Sequence, residues 1–176
     1  MLEHEHSCLM PMVTPFDGYV ETMGKVSSTC LVSFDRNRYS APCELVGQMV
    51  SIRVYPDRLE FVAHDEVVAS HIRSFDRNQT RYDWQHYIPL IERKPGALRN
   101  GAPFADLPES LLNLRSHLLK REGGDRIMAK VLTAVPKAGL ESVLVAVELV
   151  LESGNLSAEY VENVLNRLKS APLPYR

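Results

Sequence analysis

The chain has 176 residues and a formal net charge of −2 at neutral pH, with 45% hydrophobic and 24% charged residues. This composition is typical of a globular protein with one large or two small domains, and it argues against a chain coated in positive charge. No apolar run approaches the ~20 residues of a membrane span, and the N-terminus lacks the features of a signal peptide, so we expect a cytoplasmic protein.

Residues 1–24 mix His, Pro, Met and Gly without a period and predict an irregular linker. Within it, His4, His6 and Cys8 could chelate a metal ion in an extended chain, but no matching second pair of ligands follows, so we predict no metal site. The cysteines have no close CxxC spacing and are expected to be free buried thiols: Cys8, Cys30 and Cys43.

Residues 25–75 consist of short β-branched and apolar runs separated by tight-turn signals. They predict about five strands, in KVSSTCLVSF, YSAPCELVG, QMVSIRVY, LEFVAH and VVASHIRSF. Pro42 marks the second run as an edge-like strand, because proline cannot donate to a ladder. Such a meander is too small for a sandwich, and closure would remove its exposed edges. We therefore predict a small antiparallel β-barrel.

Residues 76–104 are predicted to connect the strands to a helical region. Asp83 is a candidate N-cap for one or two helical turns that bury one apolar side, formed by Trp84, Tyr87, Ile88 and Ile91. The aromatic side chains here favour packing over base stacking. Next comes LIERKPGALRNGAPF, residues 90–104, a basic stretch punctuated by proline and glycine.

Residues 105–176 carry helical periodicity and predict a bundle of about four helices. The predicted helices lie in DLPESLLNLRSHLLKRE, DRIMAKVLTAV, GLESVLVAVELVLESG and LSAEYVENVLNRLKS. Ser157 is the expected N-cap of the last helix. Its apolar stripe consists of Tyr160, Val161, Val164, Leu165 and Leu168.

No arrangement of residues predicts an active centre. A G-x-S-x-G nucleophile elbow is absent, GALRNG lacks the spacing and ending of a phosphate-binding loop, and the carboxylates lie in predicted turns or on helix surfaces. We therefore predict no catalytic residue, no metal and no cofactor for this chain.

The basic residues are more informative. Residues 73–99 hold six basic side chains, Arg73, Arg77, Arg81, Arg93, Lys94 and Arg99, against three acidic ones. Arg36 and Arg38 on the predicted barrel could extend this strip. Side chains and backbone amides on a connection can both reach phosphate oxygens, but a solvated surface with ordinary ion pairs is an equal alternative.

Three blocks together resemble a known family: FDGYVE…KVSSTCLVSFDRNRYSAPCELVGQ, HYIPLIERKPGALRNGAPF and GGDRIMAKVLTAVPKAGLESV. They look like the C-terminal portion of IstA-type transposases, whose insertion sequences also encode an IstB ATPase helper. The resemblance implies a DDE transposase with a helix-turn-helix region and an RNase-H-like catalytic domain, with Mg²⁺ at that catalytic domain. It implies that these regions and the catalytic Asp, Asp and Glu precede residue 1, so this chain is expected to be a non-catalytic fragment.

The fold implied by residues and resemblance together is β + α in two small domains. An SH3-like β-barrel of the phage Mu transposase type, residues 25–75, would be followed by the connection and a four-helix C-terminal bundle, residues 105–176.

Two hypotheses for function follow from the resemblance. In the first, the module contacts the DNA backbone of transposon ends or target and assembles with other transposase subunits, associated with the nucleoid when bound. Its phosphate contacts would be Arg36, Arg38, Arg93, Lys94 and Arg99. In the second, the stripe from Tyr160 to Leu168 docks the IstB-type AAA+ ATPase or another subunit without direct DNA contact. The basic stretch could also serve only to fix the angle between the two domains.

Overall fold

The computed structural model describes residues 17–170, without the side chains of residues 168 and 169. Seven strands come first along the described chain: β1 Val20–Lys25, β2 Leu31–Phe34, β3 Asn37–Ser40, β4 Met49–Val54, β5 Arg58–Ala63, β6 Glu66–Ile72 and β7 Thr80–Arg81. They form a four-stranded antiparallel sheet in the order β1-β4-β5-β6 and a three-stranded sheet in the order β2-β3-β7. In the second sheet β3 pairs with β2 antiparallel and with β7 parallel.

Side chains of both sheets share one apolar core. In β4, Val50 and Ile52 are buried while Met49 is exposed, the alternation that a half-buried strand requires. From the second sheet, Val32 and Tyr39 enter the same core with no exposed surface.

Several predicted strand boundaries were wrong. Residues 20–24, predicted to be irregular, form most of β1, which pairs with β4. The predicted strand 25–34 is interrupted by a turn in which Cys30 has φ 62°, so β2 begins only at Leu31. In YSAPCELVG the strand ends at Ser40, and Cys43–Leu45 is a 3₁₀ turn that buries both of its end side chains.

The predicted closed barrel is not confirmed. Among residues 17–170 the strands pair in two separate sheets that share a core. The β1–β2 corner and the shared core, rather than one continuous ladder, bring these sheets together.

Five α-helices follow: α1 Ile88–Arg93, α2 Glu109–Leu118, α3 Gly124–Ala138, α4 Leu140–Ser153 and α5 Ala158–Ser170. The four helices predicted after residue 105 are therefore present, including α4 despite its β-branched content. Both predicted N-caps are confirmed, since Asp83 accepts a hydrogen bond from Gln85 N at 3.0 Å and Ser157 Oγ accepts one from Tyr160 N at 3.2 Å. At Gly139 the φ of 85° turns the chain from α3 directly into α4, a conformation that favours glycine.

A separate four-helix bundle is not confirmed. The helical core also contains buried side chains of the connection, including Trp84, Ile91 and Leu98. It extends further to Cys30 and Cys43 from the strand region, which are buried free thiols as predicted. Cys8 lies outside the described residues.

Candidate nucleic-acid interface

The basic stretch predicted to bind phosphates is folded onto the helical core. After α1 the chain forms 3₁₀ turns at Pro95–Arg99 and Ala102–Phe104, and it buries Leu98 and Phe104. The guanidinium of Arg115 on α2 donates to the carbonyl of Leu98 at 2.7 Å. The stretch is thus a packed segment with a fixed backbone, and its exposed basic side chains extend from that backbone.

The three basic side chains of this stretch differ in their contacts. Arg99 Nη1 donates to the carbonyl of Leu119, the residue that caps the C-terminus of α2, at 3.2 Å. Arg93 Nε donates to the carbonyl of Pro89 in its own helix at 3.3 Å. Lys94 is exposed at the end of α1. Arg99 therefore has a structural role at a helix end, where cations are favoured.

The other two predicted phosphate contacts lie on a separate element, the β2–β3 hairpin. Its two-residue turn consists of Asp35 and Arg36, both with positive φ as in the tight turns that suit twisted strands. Arg36 and Arg38 are both exposed. The predicted set thus divides into a hairpin pair and a group of three on the connection.

A second segment lies beside the hairpin. The backbone N–H of Asn78 donates to the carbonyl of Arg36 at 3.0 Å, and Arg38 N donates to Gln79 O at 2.9 Å. In the parallel β3–β7 ladder, Arg81 is the register partner of Tyr39. We call the exposed side chains gathered here the basic hairpin surface: Arg36, Arg38 and Arg77. Arg81 is also exposed, but as the partner of Tyr39 it belongs to the opposite face of the sheet from Arg38.

A short repeat in the sequence, which the strand prediction did not use, marks this pairing. The pentapeptide SFDRN occurs twice, at residues 33–37 and 74–78. The first copy makes the hairpin turn and the second lies next to it, so the repeat places one basic residue of each copy on the same surface. Arg77 was counted among the basic residues but not assigned to the site.

Acidic side chains reduce but do not cancel the positive charge of this surface. Asp35 lies 3.8 Å from Arg73 Nη2, and Asp76 follows the second Phe of the repeat. Three exposed arginines, Arg36, Arg38 and Arg77, remain near these two carboxylates. The surface can contact phosphate oxygens through guanidinium groups, an interaction that sets position without reading sequence.

Behind the site, a buried polar cluster joins the second sheet to the connection. Ser40 Oγ accepts a hydrogen bond from Asp83 N at 2.7 Å and lies 2.8 Å from His86 Nδ1. His71 Nε2 donates to the carbonyl of Ser40 at 2.7 Å. Burial lowers the pKa of His86 to about 4, outweighing the Asp83 carboxylate 3.7 Å away, which favours the charged ring. Burial also lowers the pKa of His71. A serine, a histidine and an aspartate meet here, but Ser40 has no exposed surface and cannot reach a substrate.

Two thiols, Cys30 and Cys43, lie where the strand region packs against the helical core. Burial raises the pKa of Cys30 to about 11, with a further contribution from the neighbouring Cys43 thiol. Burial also raises the pKa of Cys43, against the opposing effect of Arg93. Both are therefore protonated at neutral pH, which makes them poor nucleophiles and poor metal ligands.

Residues 17–170 hold neither a candidate metal cluster nor a candidate membrane helix. In this part of the chain, no three His, Cys, Asp or Glu side chains group closely enough to hold a metal ion. The candidate ligands His4, His6 and Cys8 lie outside the described residues. Among the described helices, none is long and apolar enough to cross a membrane.

The predicted partner-binding stripe of α5 lies against the helical core. Val161, Val164 and Leu165 are buried in the helical core, and Tyr160 is half-buried against it. Leu168 lies in α5, but its side chain is not among those described. Because Val161, Val164 and Leu165 pack inward onto α3 and α4, these three side chains are not available to a partner.

Comparisons with known proteins agree with the resemblance at a coarser level. Residues 10–83 match the family model described as Mu transposase, C-terminal domain. The chain is 47% identical over 169 residues to a protein named Transposase from Aminobacter aminovorans, covering 93% of this chain and 33% of that protein. It is 45% identical over 175 residues to the Transposase for insertion sequences IS1326/IS1353 of Pseudomonas aeruginosa and of Shigella flexneri, covering 97% of this chain and 34% of each relative. The chain thus spans about a third of the length of these curated relatives. No solved structure matches it.

Proposed function

We propose, from the premise that residues 10–83 match the Mu transposase C-terminal domain family, that this chain is a non-catalytic C-terminal module of an insertion-sequence transposase. In this role it contacts the DNA backbone during transposition and helps to assemble the transposase complex. The IstA type of the parent enzyme is part of the proposal.

The observation that carries the DNA contact is the basic hairpin surface. Its three exposed arginines come from two segments distant in sequence, and all three lie inside the region that matches the family model. Arg93 and Lys94 offer a second, smaller contact on the connection. Arg99 contributes less, because its guanidinium already bonds the end of α2.

The test is a salt titration of DNA binding by fluorescence anisotropy on a labelled duplex. Binding through phosphates releases counterions, so log affinity should fall linearly with log salt concentration. Substituting Arg36, Arg38 and Arg77 together by Ala should lower affinity equally for unrelated sequences. The slope should become shallower by about 0.9 for each phosphate that the variant no longer neutralises.

A control variant of equal charge change is available on the helical side. Lys120, Arg121 and Lys137 are exposed, and their replacement by Ala removes the same three charges. This control should keep the salt slope of the unmodified chain. Equal effects of both triple variants would mean that net charge alone determines binding. Absence of binding at low ionic strength would refute the DNA contact.

A second candidate function is docking of an IstB-type ATPase or another transposase subunit. The supporting observation is an exposed apolar pair one turn apart on α4, Val145 and Leu149, which are 49% and 45% exposed. Glu141, Glu148 and Glu152 are exposed on the same helix and favour a basic partner surface. Replacing Val145 and Leu149 by Ser should abolish capture of the purified ATPase and leave DNA binding unchanged. Unchanged capture would remove this candidate.

A further inference from the structure

Two large apolar side chains project from the end of β6. Ile72 is 83% exposed and Phe75 is 73% exposed, whereas phenylalanine and isoleucine are usually buried. They lie three residues apart; Ile72 precedes the second SFDRN segment, and Phe75 is its second residue. We call this pair the apolar tip.

The backbone that carries the tip is fixed. Between the two side chains Ser74 is buried, and its N–H donates to the hydroxyl of Tyr39 at 3.0 Å. The amide of Asn37 donates to the carbonyls of Ser74 and Asp76 at 3.1 and 2.7 Å. The carbonyls of the residues before and after Phe75 are therefore held, and little ordering of the backbone remains to oppose binding by this ring.

The surroundings of the ring are cationic. The guanidinium of Arg73 lies 4.9 Å from the centroid of Phe75 and 5.7 Å from that of Phe34, so it lies near two aromatic rings. Arg77 follows two residues after Phe75, and the carbonyl of Arg36 accepts the N–H of Asn78. An exposed ring beside Arg73, with Arg77 two residues further along the chain, complements a polyanion that also offers flat aromatic faces.

Nucleic acid has both properties. Aromatic side chains stack on any base, and apolar side chains can insert between base steps while basic neighbours contact the adjacent phosphates. Arginines close to the ring would weaken binding to an apolar protein partner, because these cations would lose hydration at such an interface.

We infer that Phe75, supported by Ile72, contacts DNA bases by stacking on an unpaired base or inserting between base pairs, while the neighbouring arginines hold the phosphates. This inference rests on the proposed DNA-binding function and names a base-contacting residue within it. The contact requires no particular sequence, because every base has a stacking face.

The experiment compares the full chain with its Phe75→Ala, Phe75→Trp and Val67→Ala variants. The probe is a DNA duplex carrying a fluorescent adenine analogue at a flexible pyrimidine–purine step, together with the matching single strand. Phe75→Ala should lower affinity by about tenfold, the effect of removing one stacked base, with the salt slope unchanged because no charge is removed. The rise in analogue fluorescence that reports unstacking should disappear in Phe75→Ala and persist in Phe75→Trp.

Val67→Ala is the matched control, because Val67 is 51% exposed on β6, the strand that ends at Ile72, and lies outside the SFDRN segment. It should bind DNA as the unmodified chain does. Circular dichroism of each variant checks that the fold is retained.

The outcomes that contradict the inference are distinguishable. Absence of DNA binding by the unmodified chain overturns the proposed DNA contact and this inference with it. Salt-dependent binding that is the same in Phe75→Ala overturns the base contact alone. Unchanged DNA binding combined with weaker capture of a purified transposase subunit assigns the tip to a protein interface and also overturns the base contact.

Discussion

Asn37 shows how one buried amide positions a segment distant in sequence. Its side chain is 1% exposed, donates to two carbonyls and accepts a hydrogen bond from Gln79 N at 2.9 Å. These bonds attach the second SFDRN segment to the first. The position of Arg77 and of Phe75 relative to the hairpin therefore depends in part on Asn37, together with the backbone bonds to Arg36 and Arg38.

We expect Asn37→Ala to lower the free energy of unfolding by about 2–4 kcal/mol, because it leaves buried or half-buried backbone groups without their partner. Urea denaturation measures this change. The matched control is Asn78→Gly, the same position in the second copy. Asn78 is exposed with φ 59°, which glycine adopts without strain, so we expect a change below about 1 kcal/mol. Similar decreases in both variants would contradict the role given to Asn37.

His86 makes stability depend on pH. The pKa of the ring falls from 6.5 in the unfolded chain to about 4 in the folded one. Between these values the unfolded state binds more protons, so the contribution is fully present above pH 6.5 and is lost as pH falls toward 4. Relative to His86→Gln, the unmodified chain should lose about 2 kcal/mol of unfolding free energy between pH 8 and pH 5. Urea titrations at both pH values test this, and parallel behaviour of the two proteins would contradict it.

Individual site residues could be predicted only in part. Positive charge and exposure suffice to nominate Arg36 and Arg38, and both are exposed. The local pattern could not show that Arg99 bonds the end of α2, since Leu119 is 20 residues away. Nor could it show that Phe75 is exposed, because a phenylalanine after a strand pattern is ordinarily a core residue.

At the scale of elements, helices were easier to predict than strands. Periodicity and capping residues are local properties, and they correctly placed α2 to α5. The prediction of the strand region failed where tertiary contacts determine the structure. KVSSTCLVSF has the propensity of a single strand, yet it divides at a turn so that β1 and β2 can join different sheets. The SFDRN repeat was visible in the sequence, but its meaning depends on a parallel pairing that local propensity does not encode.

The basic stretch shows which of its glycines are needed. Gly101 has φ 48°, a conformation that side chains rarely adopt, and a Cβ there would meet no atom within 4 Å. Gly96 does not have a positive φ, and a Cβ there would come no closer than 4.0 Å to its nearest neighbour, Asp125 Oδ2. Only Gly101 is therefore required by the backbone.

We expect Gly101→Ala to lower the free energy of unfolding by about 1–2 kcal/mol through backbone strain alone. Gly96→Ala should leave it unchanged or raise it by up to about 1 kcal/mol, because it restricts the unfolded chain. Thermal and urea unfolding of the two variants measure the difference. An equal decrease in both would mean that the stretch needs flexibility at each glycine, contrary to its packed structure.

At the scale of the whole molecule, the strand region and the helical region pack against each other, and we call this contact the joint. The hydroxyl of Tyr87 donates to the carbonyl of Thr29 at 3.1 Å, and Cys30 and Cys43 are buried among residues of the helical core. Removing residues 105–176 would expose Ile91 and Leu98, whose helical turns pack against α3. A truncated chain is therefore a poor probe of DNA binding, and point substitutions in the full chain are preferable.

The shared joint predicts that both regions unfold together. Trp84, the only tryptophan, is buried in the joint, and the circular dichroism signal is dominated by the helices. We expect the urea midpoints from Trp84 fluorescence and circular dichroism to coincide, as in a two-state transition.

Hydrogen exchange should give the buried amides of β5 and α3 similar opening free energies, because neither region opens alone. Tyr87→Phe should lower both by about 1 kcal/mol, since it removes one hydrogen bond across the joint. Separate midpoints, or strand amides that stay protected while helix amides exchange, would contradict this prediction. Either result would establish two units that unfold independently, with residues 76–104 acting only as a spacer between them.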